Sequence, residues 1–148
     1  MLLDQIPLRF KNLSLRCEIN YSLAGPASDT AIEETEQRLS VSFPQPVRSF
    51  YQHYNGLRVD DPELEILPLE QMLFSSSNLL RFARVNGDPY LHFDTSAMNN
   101  AGQWNIVTTG GFCVTLSMAS FWSNRMWTWI EKRRAIWQEE RNITSCCT

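Results

Sequence analysis

From Leu13 to Leu23 the odd positions, Leu13, Leu15, Cys17, Ile19, Tyr21 and Leu23, are apolar or aromatic, and the positions between them are polar. A period of two sends alternate side chains to opposite faces of an extended chain, so the pattern predicts a half-buried N-terminal strand over 13–23. "AGPASD" interrupts the alternation. Beyond it Ser28 or Thr30 can cap a helix, Thr30 with Glu33 as a capping box, and a first helix is predicted from about Asp29 to Leu39. Pro46 then suits the first turn of a second helix, where its missing N–H costs nothing. Val47, Phe50, Tyr51 and Tyr54 follow at i, i+3, i+4 and i+7, which makes that helix amphipathic. The Asn55-Gly56 pair reads as its stop, with Gly56 as a left-handed cap and Leu57 folding back.

Short segments bounded by turn residues come next: "LEIL" from Leu64, "LLRFARV" from Leu79, "YLHFD" from Tyr90, "QWNIV" from Gln103 and "FCVTL" from Phe112. They read as a strand meander, with "NGDP" at Asn86 to Pro89 turning between two of its strands. Ser117 is placed to cap a long last helix whose apolar stripe is Met118, Phe121, Trp122, Met126, Trp129, Ile130, Ile136 and Trp137. The predicted fold is α+β: a mainly antiparallel sheet of about five to six strands packed against two N-terminal helices and one long C-terminal helix. No repeat or linker divides the chain, so residues 1–148 are expected to form one domain.

Composition sharpens this only in places. A chain of 148 residues with 43% hydrophobic content can bury about 70% of its unfolded surface without a disulfide or metal. A net charge of −3 argues against a dedicated nucleic-acid binder, because such proteins concentrate positive charge to displace counterions. No apolar run approaches the roughly 20 residues of a membrane span. Cys17, Cys113, Cys146 and Cys147 form no C-x-x-C pair and no ligand spacing with His53 or His92, so a reduced, cytoplasmic setting is expected and no metal or cofactor.

Catalytic signatures are missing: there is no phosphate-cradling glycine loop, no G-x-S-x-G and no H-E-x-x-H. His92 and Asp94 share one face of the "YLHFD" strand, where they could orient a general base; the polar outer face of a sheet accounts for them equally well. His53 lies off its helix's apolar stripe and reads as solvent-facing. Glu36, in contrast, sits between Ile32 and Leu39 on the stripe that should face the core, where an unpaired carboxylate is too costly to remain charged. The short link to Pro46 brings the next helix's orphan N–H groups within reach, so Glu36 is expected to staple the two helices. In "VDDPELE" the acids Asp60, Asp61, Glu63 and Glu65 crowd an expected exposed loop, which could meet a basic partner. Trp127 falls on the polar face of the last helix, where either a covering segment such as the N-terminal strand or a role as interface anchor would account for it.

The run "IEETEQRLSVSFPQPVRSFYQHYNG", Ile32 to Gly56, resembles the helix, step to proline, second helix and Asn-Gly stop of the SUKH superfamily, with Glu36 in the place of the family's glutamate. "LEILPL" at Leu64 to Leu69 resembles the family's strand and Pro-Leu step, "GDPYLHFD" its central hairpin, and "VTLSMASFWSNRMW" its closing strand and C-terminal helix. The resemblance spans about 28–137 and leaves the N-terminal strand and the tail from 138 outside it. Leu57 stands where a second glycine is common and Leu64 where tryptophan is common. The superfamily joins fungal cell-wall-synthesis regulators to bacterial immunity proteins. The resemblance therefore implies a non-enzymatic module that binds another protein, such as a basic toxin domain of nuclease type, or an endogenous cellular partner.

Overall fold

The computed structural model describes residues 2–16, 19–60, 63–86 and 90–132. Among them the chain forms α1 (Ile6–Ser14), β1 (Tyr21–Leu23), α2 (Asp29–Leu39), α3 (Gln45–His53), β2 (Leu57–Asp60) and β3 (Glu63–Ile66), followed by β4 (Leu79–Val85), β5 (Tyr90–Asp94), β6 (Asn105–Thr108) and β7 (Cys113–Thr115). The last helix starts as α4 (Met118–Ser120), passes through a π-helical turn (Phe121–Arg125) and continues as α5 (Met126–Lys132). The strands lie in sequence order, β1 to β7, and every neighbouring pair is antiparallel. This is the α+β fold expected, with one more strand and one more helix than the sequence pattern indicated.

Both additions have local causes. The stretch expected as strand 13–23 instead ends α1, and only Tyr21–Leu23 pairs with a neighbour, β2. Pro7 sits in the first turn of α1, and Ile6, Phe10 and Leu13 recur at helical spacing and are buried. That packing overrides the period-two pattern, whose odd positions Leu13 and Leu15 end on opposite sides of the burial divide. The extra strand β2 occupies the residues just after Gly56. Its Leu57 and Val59 are buried and its Arg58 and Asp60 exposed, so the stretch from Val59 expected as loop begins inside a strand.

The expected helix Asp29–Leu39 forms, capped by the Ser28 hydroxyl, which accepts from the Ala31 N–H at 3.0 Å. The second expected helix forms as α3 with Pro46 in its first turn. It ends at Tyr54 in extended geometry, so Gly56 is not its left-handed cap. Gly56 has φ +100° for another reason: a Cβ there would lie 2.7 Å from the Ile66 carbonyl oxygen, which crosses directly over it.

The core lies between one face of the sheet and the helices, where Phe50, Tyr51, Phe82, Phe93 and Phe121 are buried completely. Ser117 caps the last helix by accepting from the Ser120 N–H at 3.0 Å. The described part of its predicted stripe is buried, and Ile136 and Trp137 lie outside the described residues, as do Gly87 to Pro89 of the expected turn and the C-terminal cysteines. No helix of the described residues is long and apolar enough to cross a membrane.

Candidate functional site

The Asn55-Gly56 pair organises one corner of the molecule. The Asn55 carboxamide accepts from the Leu69 N–H at 2.9 Å and donates to Glu70 at 3.3 Å, while its backbone N–H donates to the Gly25 carbonyl at 2.8 Å. Gly56 admits the Ile66 carbonyl, and the buried Tyr51 hydroxyl donates to the Leu67 carbonyl at 2.7 Å. Burial, then the nearby Glu70 carboxylate, pushes the Tyr51 phenol far above its ordinary range, so it stays a donor. Three chain segments are thereby locked side by side. They form a groove of about 430 Å³ whose walls include Leu23, Asn55, Arg58, Glu65, Pro68 and Glu70.

Beside the groove the β2–β3 hairpin carries the acidic cluster. Asp60 pairs across the hairpin with Glu63 and Arg58 with Glu65, so all four side chains share the sheet face opposite Val59 and Leu64, which point into the core. Arg58 reaches Asp60 at 3.3 Å and Glu63 at 3.8 Å, and Arg84 on β4 holds Glu65 at 2.9 Å. The expected solvated loop is therefore a pleated, partly paired charge ladder. Its carboxylates differ: the Asp60 side chain is 55% exposed, whereas that of Glu65 is 16% exposed and committed to Arg84. Asp61 lies outside the described residues. The hairpin is anchored from behind by the Trp129 indole, which donates to the Glu63 carbonyl at 3.2 Å.

Trp127 is not on this surface. It is 1% exposed, packed against Phe10 of α1 with ring centroids 4.7 Å apart and with the Arg9 guanidinium 4.4 Å from its ring. Of the two accounts open to it, cover by the N-terminal segment is the one that holds, in helical rather than strand form, and the interface-anchor reading is corrected: Trp127 is a core residue. The π-helical turn explains the misplacement. The Met126 N–H bonds five residues back to Phe121, which inserts one residue into the helix. Every later side chain is rotated by about 100°, enough to swing Trp127 from the polar face into the core. Glu131 then ties the helix to α1 through Arg9 at 2.7 Å and to the turn after α1 through Arg16 at 3.8 Å.

His92 and Asp94 do not form the polar outer pair either. His92 is 1% exposed, its Nε2 lies 2.8 Å from the Ser75 hydroxyl, and Arg81 donates to the same hydroxyl at 2.6 Å. Burial first and the Arg81 charge second hold its imidazole below its ordinary range, so it is neutral at pH 7. Asp94 turns away to accept from the Ser96 N–H and hydroxyl. The exposed His53 ring contacts its own helix through the Ser49 carbonyl at 2.9 Å. Among the described residues no three His, Cys, Asp or Glu side chains gather as a metal site.

Glu36 links α2 to α3. One of its carboxylate oxygens accepts from the Phe43 N–H, just before α3, at 2.7 Å, and the other pairs with Arg48 of α3 at 2.5 Å. The residues that sequence reasoning missed are Arg58, Arg84 and Asn55. The first two were legible in principle, because "LRVD" and "LRFARV" place arginines where a strand's polar face would carry them.

The described residues thus form an antiparallel meander backed by helices, with an acidic hairpin beside a groove. The family model of the SMI1 / KNR4 family (SUKH-1) matches residues 26–125, and the chain belongs to that family. The match begins after α1 and β1 and ends within the π-helical turn, so the N-terminal helix that covers Trp127 is an addition to the matched core. Comparison with curated proteins gives no match. Members of the SUKH family bind protein partners.

Proposed function

We propose that this chain is a cytoplasmic, non-enzymatic immunity protein that binds and neutralises a cognate toxin, using the β2–β3 hairpin and the adjoining groove. The observation that carries this reading is the hairpin itself, in a member of a partner-binding family. Asp60 and Glu63 are only partly neutralised by Arg58, and Glu70 adds a further carboxylate at the groove's rim. A nuclease toxin must carry basic residues to hold its phosphate substrate, and an acidic, partly apolar surface competes for them. The rigid Asn55-Gly56 corner supports the proposal, since a prearranged surface loses little entropy on binding.

The second reading is a regulatory or scaffold protein with an endogenous partner. It is favoured by the family's inclusion of cell-wall-synthesis regulators and uses the same surface. Co-purification from the native lysate separates the two. A partner that is lethal when expressed alone and harmless when co-expressed with this chain supports the immunity reading. A housekeeping partner without toxicity supports the second. Turnover of a substrate by the purified chain, abolished in a folded His92 variant, would contradict both.

A further inference from the structure

The two end strands of the sheet differ in cover. β7 is buried, Cys113 and Val114 included, whereas Tyr21 of β1 is 36% exposed, Asn20, Ser22 and Ala24 are exposed, and Leu23 is half-buried. β1 pairs only with β2, in a register of three consecutive pairs without a bulge. The Asp60 N–H donates to the Asn20 carbonyl at 3.0 Å, and the Ala24 N–H to the Gly56 carbonyl at 3.2 Å. Backbone groups alternate in direction along an antiparallel strand, so Asn20, Ser22 and Ala24 turn theirs to β2, and Tyr21 and Leu23 turn theirs outward. Among the described residues those outward N–H and C=O groups meet no hydrogen-bond partner. Proteins commonly blunt such an edge with lysine, proline or an inward charge. "NYSLAG", Asn20 to Gly25, contains none of them.

The two faces beside this edge are unlike. On one, Ser22 stands next to Arg58 and Arg58 next to Glu65, and this row lines the groove that Glu70 rims. Asp60, level with Asn20, lies on the same face with Glu63 across from it. Arg58 already serves Asp60 and Glu63, and Arg84 serves Glu65, so these two guanidiniums leave the four carboxylates in excess. On the other face the Tyr21 ring stacks on Phe10 of α1 at 4.7 Å and stays partly exposed, with Leu23 along the strand from it.

We infer that the partner adds a strand to β1: an extended segment pairs antiparallel with the edge of Tyr21 and Leu23, laying basic side chains over the groove and apolar ones beside the Tyr21 ring. Antiparallel pairing continues the order of the whole sheet. The alternation follows from the pleat. A residue set opposite Ser22 projects onto the acidic face, and its neighbours, opposite Tyr21 and Leu23, project onto the apolar one. Backbone pairing supplies attachment whatever the sequence, and the two faces select a segment of alternating basic and apolar residues. A second copy fits poorly, because its own β1 turns serine rather than a cation to the groove face and brings another acidic hairpin to the edge. The inference rests on the reading of the hairpin and groove as the partner's surface, and it adds how the partner is held there.

Hydrogen exchange of the full chain, read residue by residue by NMR, tests the edge, with a peptide of about eight alternating lysine and valine residues as the probe. In the free chain the Tyr21 and Leu23 amides should exchange about tenfold or more faster than the Ser22 amide, and saturating peptide should slow them by about tenfold or more. The same peptide N-methylated at its valines keeps its charge and loses its donors to the edge, so by fluorescence anisotropy it should bind about tenfold or more weakly. Tyr21→Pro removes one outward donor and blocks an incoming strand, whereas Tyr21→Ala loses the same ring and keeps the donor. Affinity for the lysine-valine peptide should be about tenfold or more lower in Tyr21→Pro than in Tyr21→Ala, in chains that both still unfold cooperatively. Tyr21 and Leu23 amides as slow as Ser22 in the free chain would overturn the open edge. Protection that grows with chain concentration, without peptide, would assign the edge to a second copy and overturn the foreign strand. Equal affinity of the N-methylated peptide would overturn strand pairing and leave the hairpin's attraction for a basic partner standing. A lysine-valine peptide that binds no better than a glutamate-valine one would contradict both.

Discussion

Replacing Glu36 by alanine should remove about 1–3 kcal/mol of stability, and the geometry shows where the loss arises. The Glu36 side chain is 12% exposed, and one oxygen is an acceptor for the N–H of Phe43, itself a buried residue. Without that acceptor the N–H keeps its desolvation cost, about 1–3 kcal/mol. The other oxygen's ion pair with Arg48 adds less, because the Arg48 side chain is 25% exposed and can turn to water; about 0.5 kcal/mol is a fair allowance after screening. Alanine returns a few tenths, roughly 0.3 kcal/mol, through its better helix propensity in α2. Urea unfolding gives the difference directly, and at about 2–4 °C per kcal/mol the thermal midpoint falls by several degrees. Two further variants separate the sources. Glu36→Gln retains an acceptor for Phe43 and should lose less than Glu36→Ala, while Arg48→Ala should lose about 0.5–1 kcal/mol. Equal losses in Glu36→Ala and Arg48→Ala, or none in either, would refute the reasoning.

Other substitutions report on different links. Gly56→Ala should cost about 2–4 kcal/mol by combining a φ of +100° with a Cβ 2.7 Å from the Ile66 carbonyl; a urea midpoint within error of wild type would contradict the crossing. Trp127→Ala should cost about 3–5 kcal/mol by emptying the space under α1, and calorimetry should show it without any partner present. His92 titrates below its ordinary value of 6.5 in the folded chain, so as pH falls through 6.5 the unfolded state takes up the proton first and stability declines. That decline, present in wild type and reduced in a folded His92→Gln variant, is measured by urea midpoints at pH 7.5 and about pH 5.5; an identical slope in both would exclude His92 as its source.

Local signals carried much of the fold. The capped helix Asp29–Leu39, the proline-led α3 and the strand Leu79–Val85 are each fixed by their own periodicity and punctuation, and they form over the residues expected. What could not be read was decided by other parts of the chain. The alternation after Leu13 has a valid strand pattern, yet Leu13 is buried as part of the helical stripe it shares with Ile6 and Phe10, and Phe10 packs on Tyr21 and on Trp127 of the last helix. Trp127 shows the same limit at a single residue: one extra residue in a π-helical turn changes which face is inward, and no spacing rule for regular helices contains it. The acidic cluster was legible as charge and missed as geometry, because the arginines that pair it stand on β2 and β4, one of them far along the chain. His92 was misjudged since its cover comes from Ser75 and Arg81, which the sequence does not mark as neighbours.

The central proposal is that a protein partner is captured at the β2–β3 hairpin by electrostatic attraction. Stopped-flow association of the co-purified partner with wild type and with a variant carrying Asp60→Asn, Asp61→Asn, Glu63→Gln and Glu65→Gln, at about 0.05 and 0.5 M salt, tests it most directly. The wild-type rate should fall steeply with salt, and the variant, still folded, should associate slowly with little salt dependence. A wild-type rate indifferent to salt, matched by the variant, would place the partner on another surface.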